Sequence, residues 1–235
     1  HRGFETVTYM LDGEFEHEDS AGHRGLLHAG DVQWMTAGAG IVHSEMPSQR
    51  IRREGGRVHG FQLWVNLPAR LKMTRPRYQE VPASKIPEAE SEDGRARVRV
   101  IAGEALGASA VIDTHIPIVY QDWTIEAEAD VSTPLPVDHD AFVYVFAAAV
   151  RLGDEGREVR DGQLAVLGAG ERVRLRGSAA ATEPARLLLL SGAPIGEPVA
   201  PYGPFVMNTE SELRQAIRDY QSGRMGEITR TAELR

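Results

Sequence analysis

The 235-residue sequence predicts an all-β protein of two modest domains with one short α-helix near its C-terminal end. Three observations carry that expectation. Short apolar runs are broken throughout by 24 glycines and 13 prolines, the punctuation of strands joined by tight turns. A hydrophobic content of 42% over this length supports two small cores but no long apolar stretch. Apolar residues recur at helical spacing in one place, close to the end.

Residues 1–67 read as strands separated by turns. Asp12-Gly13 is a hairpin signal, and Ala29-Gly30-Asp31 turns into Val32-Gln33-Trp34-Met35. Short strands at this spacing suit a barrel or a sandwich. Residues 68–93 carry Pro68, Pro76, Pro82 and Pro87 in a charged stretch unfit for a central strand, and are expected to connect the domains. Residues 94–208 form the second domain, with strands expected at Arg97–Ala102, Ser109–Ile116, Trp123–Ala127, Ala141–Val150, Gln163–Leu167, Arg172–Leu175 and Arg186–Leu190. Gly30-Asp31 before Val32 has an echo in Gly170-Glu171 before Arg172, as a duplicated barrel would give. Residues 209–235 open with Thr209-Glu210-Ser211-Glu212, a capping box. Leu213, Ala216, Ile217 and Tyr220 then form an apolar stripe before Gly223, and a polar tail follows from Arg224.

Composition narrows the function. The absence of cysteine excludes disulfides, a thiol nucleophile and thiolate metal ligands. No run approaches the roughly 20 apolar residues of a membrane span, and nothing at the start resembles a signal peptide, so a cytoplasmic protein without membrane contact is expected. A net charge of −8 argues against direct nucleic-acid binding. The local exceptions, Arg50-Ile51-Arg52-Arg53 and Arg95, Arg97 and Arg99, read as solvated loop or outer strand faces.

The chemistry-bearing residues lie in His1-Arg2-Gly3-Phe4-Glu5 and Gly40-Ile41-Val42-His43-Ser44-Glu45-Met46-Pro47. On a strand His1, Gly3, Glu5, Val7, Tyr9 and Leu11 share one face, and His43 shares a face with Glu45. Imidazoles with a carboxylate suit iron(II) and its dioxygen chemistry, with Mn, Zn, Ni and Cu open on ligand type. The plainer alternative is that His43 braces a turn and Glu45 is a solvated strand residue.

Those segments resemble the pirin family, together with Arg2-Gly3-Phe4-Glu5-Thr6-Val7-Thr8-Tyr9, Gly30-Asp31-Val32-Gln33-Trp34-Met35-Thr36-Ala37-Gly38 and Gln62-Leu63-Trp64-Val65-Asn66-Leu67. The resemblance continues through Ile101-Ala102-Gly103-Glu104-Ala105-Leu106-Gly107 and Gly203-Pro204-Phe205-Val206-Met207-Asn208-Thr209. It implies a bicupin of two stacked β-barrels (double-stranded β-helices), with one iron in the N-terminal barrel held by His-x-His plus His-x-Glu. Carried over, those ligands fall on His1, His43 and Glu45. The first histidine of the first pair would lie two positions before His1, so the sequence is expected to be a fragment lacking that ligand and the opening strands. Chelation by the α-amine of His1 is disfavoured. Glu5, where general cupins place a glutamate ligand, is expected to orient His1 or to ligate itself.

The resemblance further implies a metal-free C-terminal barrel, with His115 and His139 on its surface or loops. Its activity would be dioxygen-dependent ring cleavage of a flavonol such as quercetin, with release of carbon monoxide and Glu45 as ligand and proton acceptor. The alternative is a regulatory protein whose iron state alters binding to a transcription factor or enzyme, and a third reading is a structural cupin with an incomplete site. Many pirins carry arginine where this chain has Ala39, which weakens roles that need a cation there. His17, Asp19 and His23 are expected to be exposed, while the roles of His28 and Gln33, which also lie near the ligands in sequence, are left open. Phe4, Tyr9, Trp34, Met35, Phe61 and Trp64 form core, and some would wall a small aromatic substrate.

Overall fold

The computed structural model describes residues 1–228, and the last seven residues of the polar tail lie outside the described residues. The chain forms two compact units, one from His1–Ser84 with Ile195–Arg235 and one from Lys85–Pro194. Both are dominated by antiparallel strands.

The first unit opens with β1 (Phe4–Asp12), β2 (Glu14–Asp19), β3 (Arg24–His28), β4 (Val32–Thr36), β5 (His43–Pro47), α1 (Gln49–Glu54), β6 (His59–Asn66) and β7 (Arg77–Val81). They make two sheets, ordered β6-β1-β4-β7 and β3-β2-β5. In the first sheet Val7 lies opposite Trp34 and both are fully buried. The helix α1 corrects the expected solvated loop at Arg50-Ile51-Arg52-Arg53. Ser48 caps it by accepting from Ile51 N–H at 3.2 Å, Ile51 is buried, and Arg50 and Arg52 reach Glu14 and Glu16 at 3.0 and 3.2 Å. Its short propensity run was masked by charge, which tertiary ion pairs and one buried isoleucine offset.

Residues 68–93 contain β7, an edge strand of the first unit, and an edge strand Glu88–Glu90 of the second. The domain limit placed at 208 moves as well. Residues from Ile195 return to the first unit, where Phe205 bridges Arg2 in parallel and Val206 N–H donates to Arg2 O at 3.0 Å. The hairpin Ala200–Tyr202/Phe205–Met207 leads into α2 (Glu210–Gln221), whose Thr209–Glu212 capping box is formed as expected. Ala216 packs with Phe205 and Met225, supported by Leu213 and Ile217, whereas Tyr220 is more than half exposed. Arg2 donates to Asp219 at 2.8 Å, as does Arg224, and the Arg2 hydrogen bond leads in holding the Asp219 carboxyl down at about 2. This pair ties the start of the unit to its closing helix.

In the second unit a six-stranded sheet runs in the order Leu164–Val166, Asp140–Ala147, Ala185–Gly192, Ile118–Ile125, Ala96–Ala102, Glu88–Glu90. A four-stranded sheet runs Asp130–Pro134, Arg172–Gly177, Ala149–Leu152, Arg157–Arg160. Alternate residues of both fill the core, among them Trp123, Val143, Val150, Leu175, Leu187 and Leu189. The expected strand over 109–116 reduces to Ala108–Ser109, paired in a tight hairpin with Glu104–Ala105 across a turn in which Leu106 and Gly107 both take positive φ. Arg99 meets Glu88 at 2.9 Å, while Arg97 is exposed on its strand. Among the described residues no helix is long and apolar enough to cross a membrane.

Lys72 is the least expected core residue. Its ammonium is almost fully buried in the first unit, donating to Asn66 Oδ1 at 2.6 Å, Val206 O at 2.8 Å and Gly3 O at 2.9 Å. Burial lowers its pKa to about 8 against an ordinary 10.5. Between those values the unfolded chain holds a proton that the folded chain has released, so stability should rise with pH across that window. We expect the urea midpoint of the native chain to gain on that of Lys72→Met as pH rises from 8 to 10.5. A constant difference between the two would show that Lys72 does not titrate there.

Candidate functional site

The backbone at Gly3 decides which side chains meet. Gly3 has φ +88°, and an added Cβ would run into Val206 O. This left-handed residue breaks the alternation expected for residues 1–11. His1 consequently joins the face of Phe4 rather than that of Glu5, with ring centroids 5.1 Å from Phe4 and 5.3 Å from Trp64. Glu5 lies on the opposite face, fully buried, where it accepts from Thr36 Oγ1 at 2.6 Å. The expected pairing of Glu5 with His1 is therefore corrected by a single backbone dihedral.

On the His1 face, register groups Thr6 and Thr8 with Gln62 and Trp64 of β6 and with Gln33 and Met35 of β4, continuing to Tyr78 and Glu80 of β7. The second sheet presents His17 and Asp19 of β2, directly opposite Glu45 and His43 of β5. Hydrogen bonds join the two faces. Thr8 Oγ1 donates to Glu45 Oε1 at 3.0 Å, and Gln62 Nε2 donates to Glu45 Oε2 at 2.6 Å. Trp64 Nε1 donates to Gln62 Oε1 at 3.1 Å, fixing the orientation of that amide. The interior between the sheets is thus polar, with the Phe4 and Trp64 rings packed at a tilt, centroids 4.4 Å apart, along one side.

His1 and His43 approach edge to face at 4.8 Å. The α-amine of His1 donates to Ile41 O at 2.8 Å, and Ile41 N–H donates to His1 O at 3.0 Å, so that amine serves strand pairing. Burial pushes the His43 imidazole below its ordinary pKa, opposed by the nearby Glu45 charge, which favours the neutral form that ligates metal. Its Nδ1 is buried without a hydrogen-bond partner among the described residues. Among those residues no three His, Asp or Glu side chains converge closely enough to hold an ion. The donor types, two adjacent imidazoles and a carboxylate, fit a borderline divalent cation, and the unpartnered His43 nitrogen leaves capacity for one. Glu45 is turned to Thr8 and Gln62.

His17 and Asp19, expected to be exposed, point inward and are almost fully buried. His17 Nε2 lies 2.7 Å from Glu80 Oε1, which also accepts from Gln33 Nε2 at 3.1 Å. Gly25 faces His17, and a Cβ there would collide with the imidazole, so the glycine makes its room. Burial works to raise the Asp19 pKa but is outweighed by the His23 side chain and the amides of His23 and Ala21, the latter at 2.8 Å. Burial, then the Asp19 charge, drives the Tyr78 hydroxyl far above its ordinary range and keeps it protonated. His23 and His28 are exposed, as is the tip of the hairpin between β2 and β3. A signal for His17 and Asp19 lay in the sequence: Phe15, His17 and Asp19 share one strand face, and Phe15 marks its direction. Nothing comparable marked Tyr78 or Glu80, which lie in the proline-punctuated stretch. At Ala39 both backbone groups are engaged, N–H to Thr74 O at 2.8 Å and O accepting from Arg2 Nε at 2.6 Å.

Comparison with known proteins agrees with this architecture. The family model described as Pirin matches residues 1–65, and that of the pirin C-terminal cupin domain matches residues 120–226. The chain is 45% identical over 227 residues to a pirin-like protein of Solanum lycopersicum, covering 96% of this chain and 75% of that one. It is 44% identical over 228 residues to a putative quercetin 2,3-dioxygenase of Vibrio cholerae, covering 95% and 77% respectively. The crystal structure of a quercetin 2,3-dioxygenase from Acinetobacter baumannii superposes with a TM-score of 0.90 at 39% identity, covering 97% of this chain and 78% of that one. With a strand-dominated cupin fold, both family segments and relatives matched over nearly its whole length, the chain belongs to the pirin family.

Proposed function

We propose that the first unit is a metal-dependent dioxygenase site of the quercetinase type, acting on flavonols and using iron(II). The observation that carries this reading is the Glu45 carboxylate, held by Thr8 and Gln62 beside the His1–His43 pair and an aromatic wall. The activity named for the Vibrio cholerae and Acinetobacter baumannii relatives supports the substrate class.

His1, His43 and Glu45 would hold the metal. Iron(II), when bound, acidifies a coordinated hydroxyl and supplies reactivity with dioxygen. Glu45 takes the hydroxyl proton of the flavonol, and Thr8 and Gln62 keep its oxygens directed inward for that transfer. The partly exposed Trp64, backed by the buried Phe4, offers its ring face to the flat ring system. Tyr78, held protonated, acts as a hydrogen-bond donor rather than a base.

Elemental analysis is expected to find near-stoichiometric metal in the native chain and none in His43→Ala/Glu45→Ala. Iron-loaded protein in air should consume quercetin with oxygen uptake and carbon monoxide release; quercetin left intact would overturn the reading. Thr8→Val and Gln62→Leu should each lower metal affinity or turnover by about 10- to 100-fold, with only a small fall in the thermal midpoint because Glu45 is partly exposed. Because His1 and Ile41 exchange both backbone hydrogen bonds, a residue added two positions before His1 falls opposite His43 if the pairing continues. A chain extended by His-Ser ahead of His1 should bind metal more tightly than one extended by Ala-Ser, and equal affinities would show that this register does not serve the site.

A further inference from the structure

The second unit contains a feature that the flavonol site does not use. Between the edge strands Arg157–Arg160 and Leu164–Val166, one from each sheet, a cavity of about 820 Å³ enters the space between the sheets. Ligand pockets commonly span about 300–1,000 Å³. Its floor is formed by Leu135, Ala141, Leu152, Val159 and Val173, each between 5% and 8% exposed, whereas deeper neighbours such as Val143, Val150 and Leu175 are completely covered. The floor is therefore core surface that water reaches.

The rim has a defined charge. Of its acids, Asp154 is paired with Arg174 at 3.2 Å and Glu158 with Arg160 at 2.7 Å, which leaves Glu155. Arg157 and Arg172 line the same opening and make no ion pair among the described residues. Gln163 accepts from Arg160 N–H through Oε1 at 2.9 Å, so its amide N–H groups remain available as donors. Arg157, on the strand face that carries Val159, and the Gln163 amide beside an apolar floor match a carboxylate head on an apolar body. Gly168 and Gly170 flank Ala169 on the rim, and neither has a close neighbour where a side chain would project, so this loop has room to adjust.

We infer that the second unit is a binding site for a small amphipathic monocarboxylate, seated with its apolar part against Leu135, Val159 and Val173 and its carboxylate at Arg157. The site lies wholly within the second unit and stands independently of the metal reading.

Isothermal titration of the full chain with decanoate, kept below its micellar concentration, tests this. Saturable binding at one site per chain is expected, weakened about tenfold or more in Arg157→Gln and for decanol in place of decanoate. Ala165→Phe, which fills the cavity, should abolish binding while retaining the native thermal midpoint; if it fails to fold, the exposed Arg157 still decides the matter. His43→Ala/Glu45→Ala should bind decanoate normally. Absence of saturation, equal affinity for the alcohol, indifference to Arg157→Gln, or loss of binding in the His43/Glu45 variant would each overturn the inference.

Discussion

The left-handed backbone at Gly3 is the constraint on which the first unit depends. Its N–H donates to Gly38 O at 2.8 Å, its O accepts from Lys72, and its missing side chain lets Val206 and Met207 pass against it. Any L-residue there meets both a backbone penalty and a backbone atom in its way. Two consequences follow from the one dihedral. The His1 imidazole swings to the interior face beside His43, and the returning hairpin comes close enough for Arg2 to pair with Phe205 and, through its side chain, with Asp219. Site geometry and closure of the unit are therefore set by the same residue.

Much of this was legible in the sequence where the signal is local. The strands at Val32–Thr36 and Ala185–Gly192 follow from short apolar runs, that at Ala96–Ala102 from alternation, and the Thr209–Glu212 capping box from cap chemistry. The failures are non-local. Alternation assigns faces only while the backbone stays extended, so it could not anticipate that Gly3 would exchange the neighbours of His1. The helix α1 depends on ion pairs to Glu14 and Glu16, more than 30 positions earlier. The return of residues 195–228 to the first unit rests on contacts with Arg2 and Lys72 that no window of sequence contains. His17 and Asp19 are an intermediate case, since their strand face was readable from Phe15 while their partners Glu80 and Tyr78 were not.

The two units use one kind of architecture for opposite interiors. In the second, alternate positions carry valine, leucine and tryptophan, and the space between the sheets is filled by dispersion and hydrophobic contact. In the first, the equivalent space carries His17, Asp19, His43, Glu45, Tyr78 and Glu80, whose desolvation must be offset by hydrogen bonds from the facing sheet. Such an interior gains less from burial than an apolar one of the same size. Its partners account for the stabilisation it does have: Gln33 and His17 on Glu80, Thr8 and Gln62 on Glu45, and three donors on Asp19. Lys72 and the Arg2–Asp219 pair extend the same pattern beyond the site, fixing separate chain segments through charged groups rather than bulk.

Those partners also distinguish the acids of the first unit from one another. Glu5 lies on the far face with Thr36, remote from the imidazoles. Asp19 is committed to the turn that follows it, accepting from two amides and facing His23, so protonating it would dismantle local structure. Glu80 shares its oxygen with His17 and Gln33, and Tyr78 is held in its protonated form. Glu45 differs in having neutral hydroxyl and amide donors as its partners, both able to turn with it or yield to a ligand, on the same strand face as His43. That difference in partners, beyond the His-x-Glu spacing, favours Glu45 over the other acids for the proposed proton transfer.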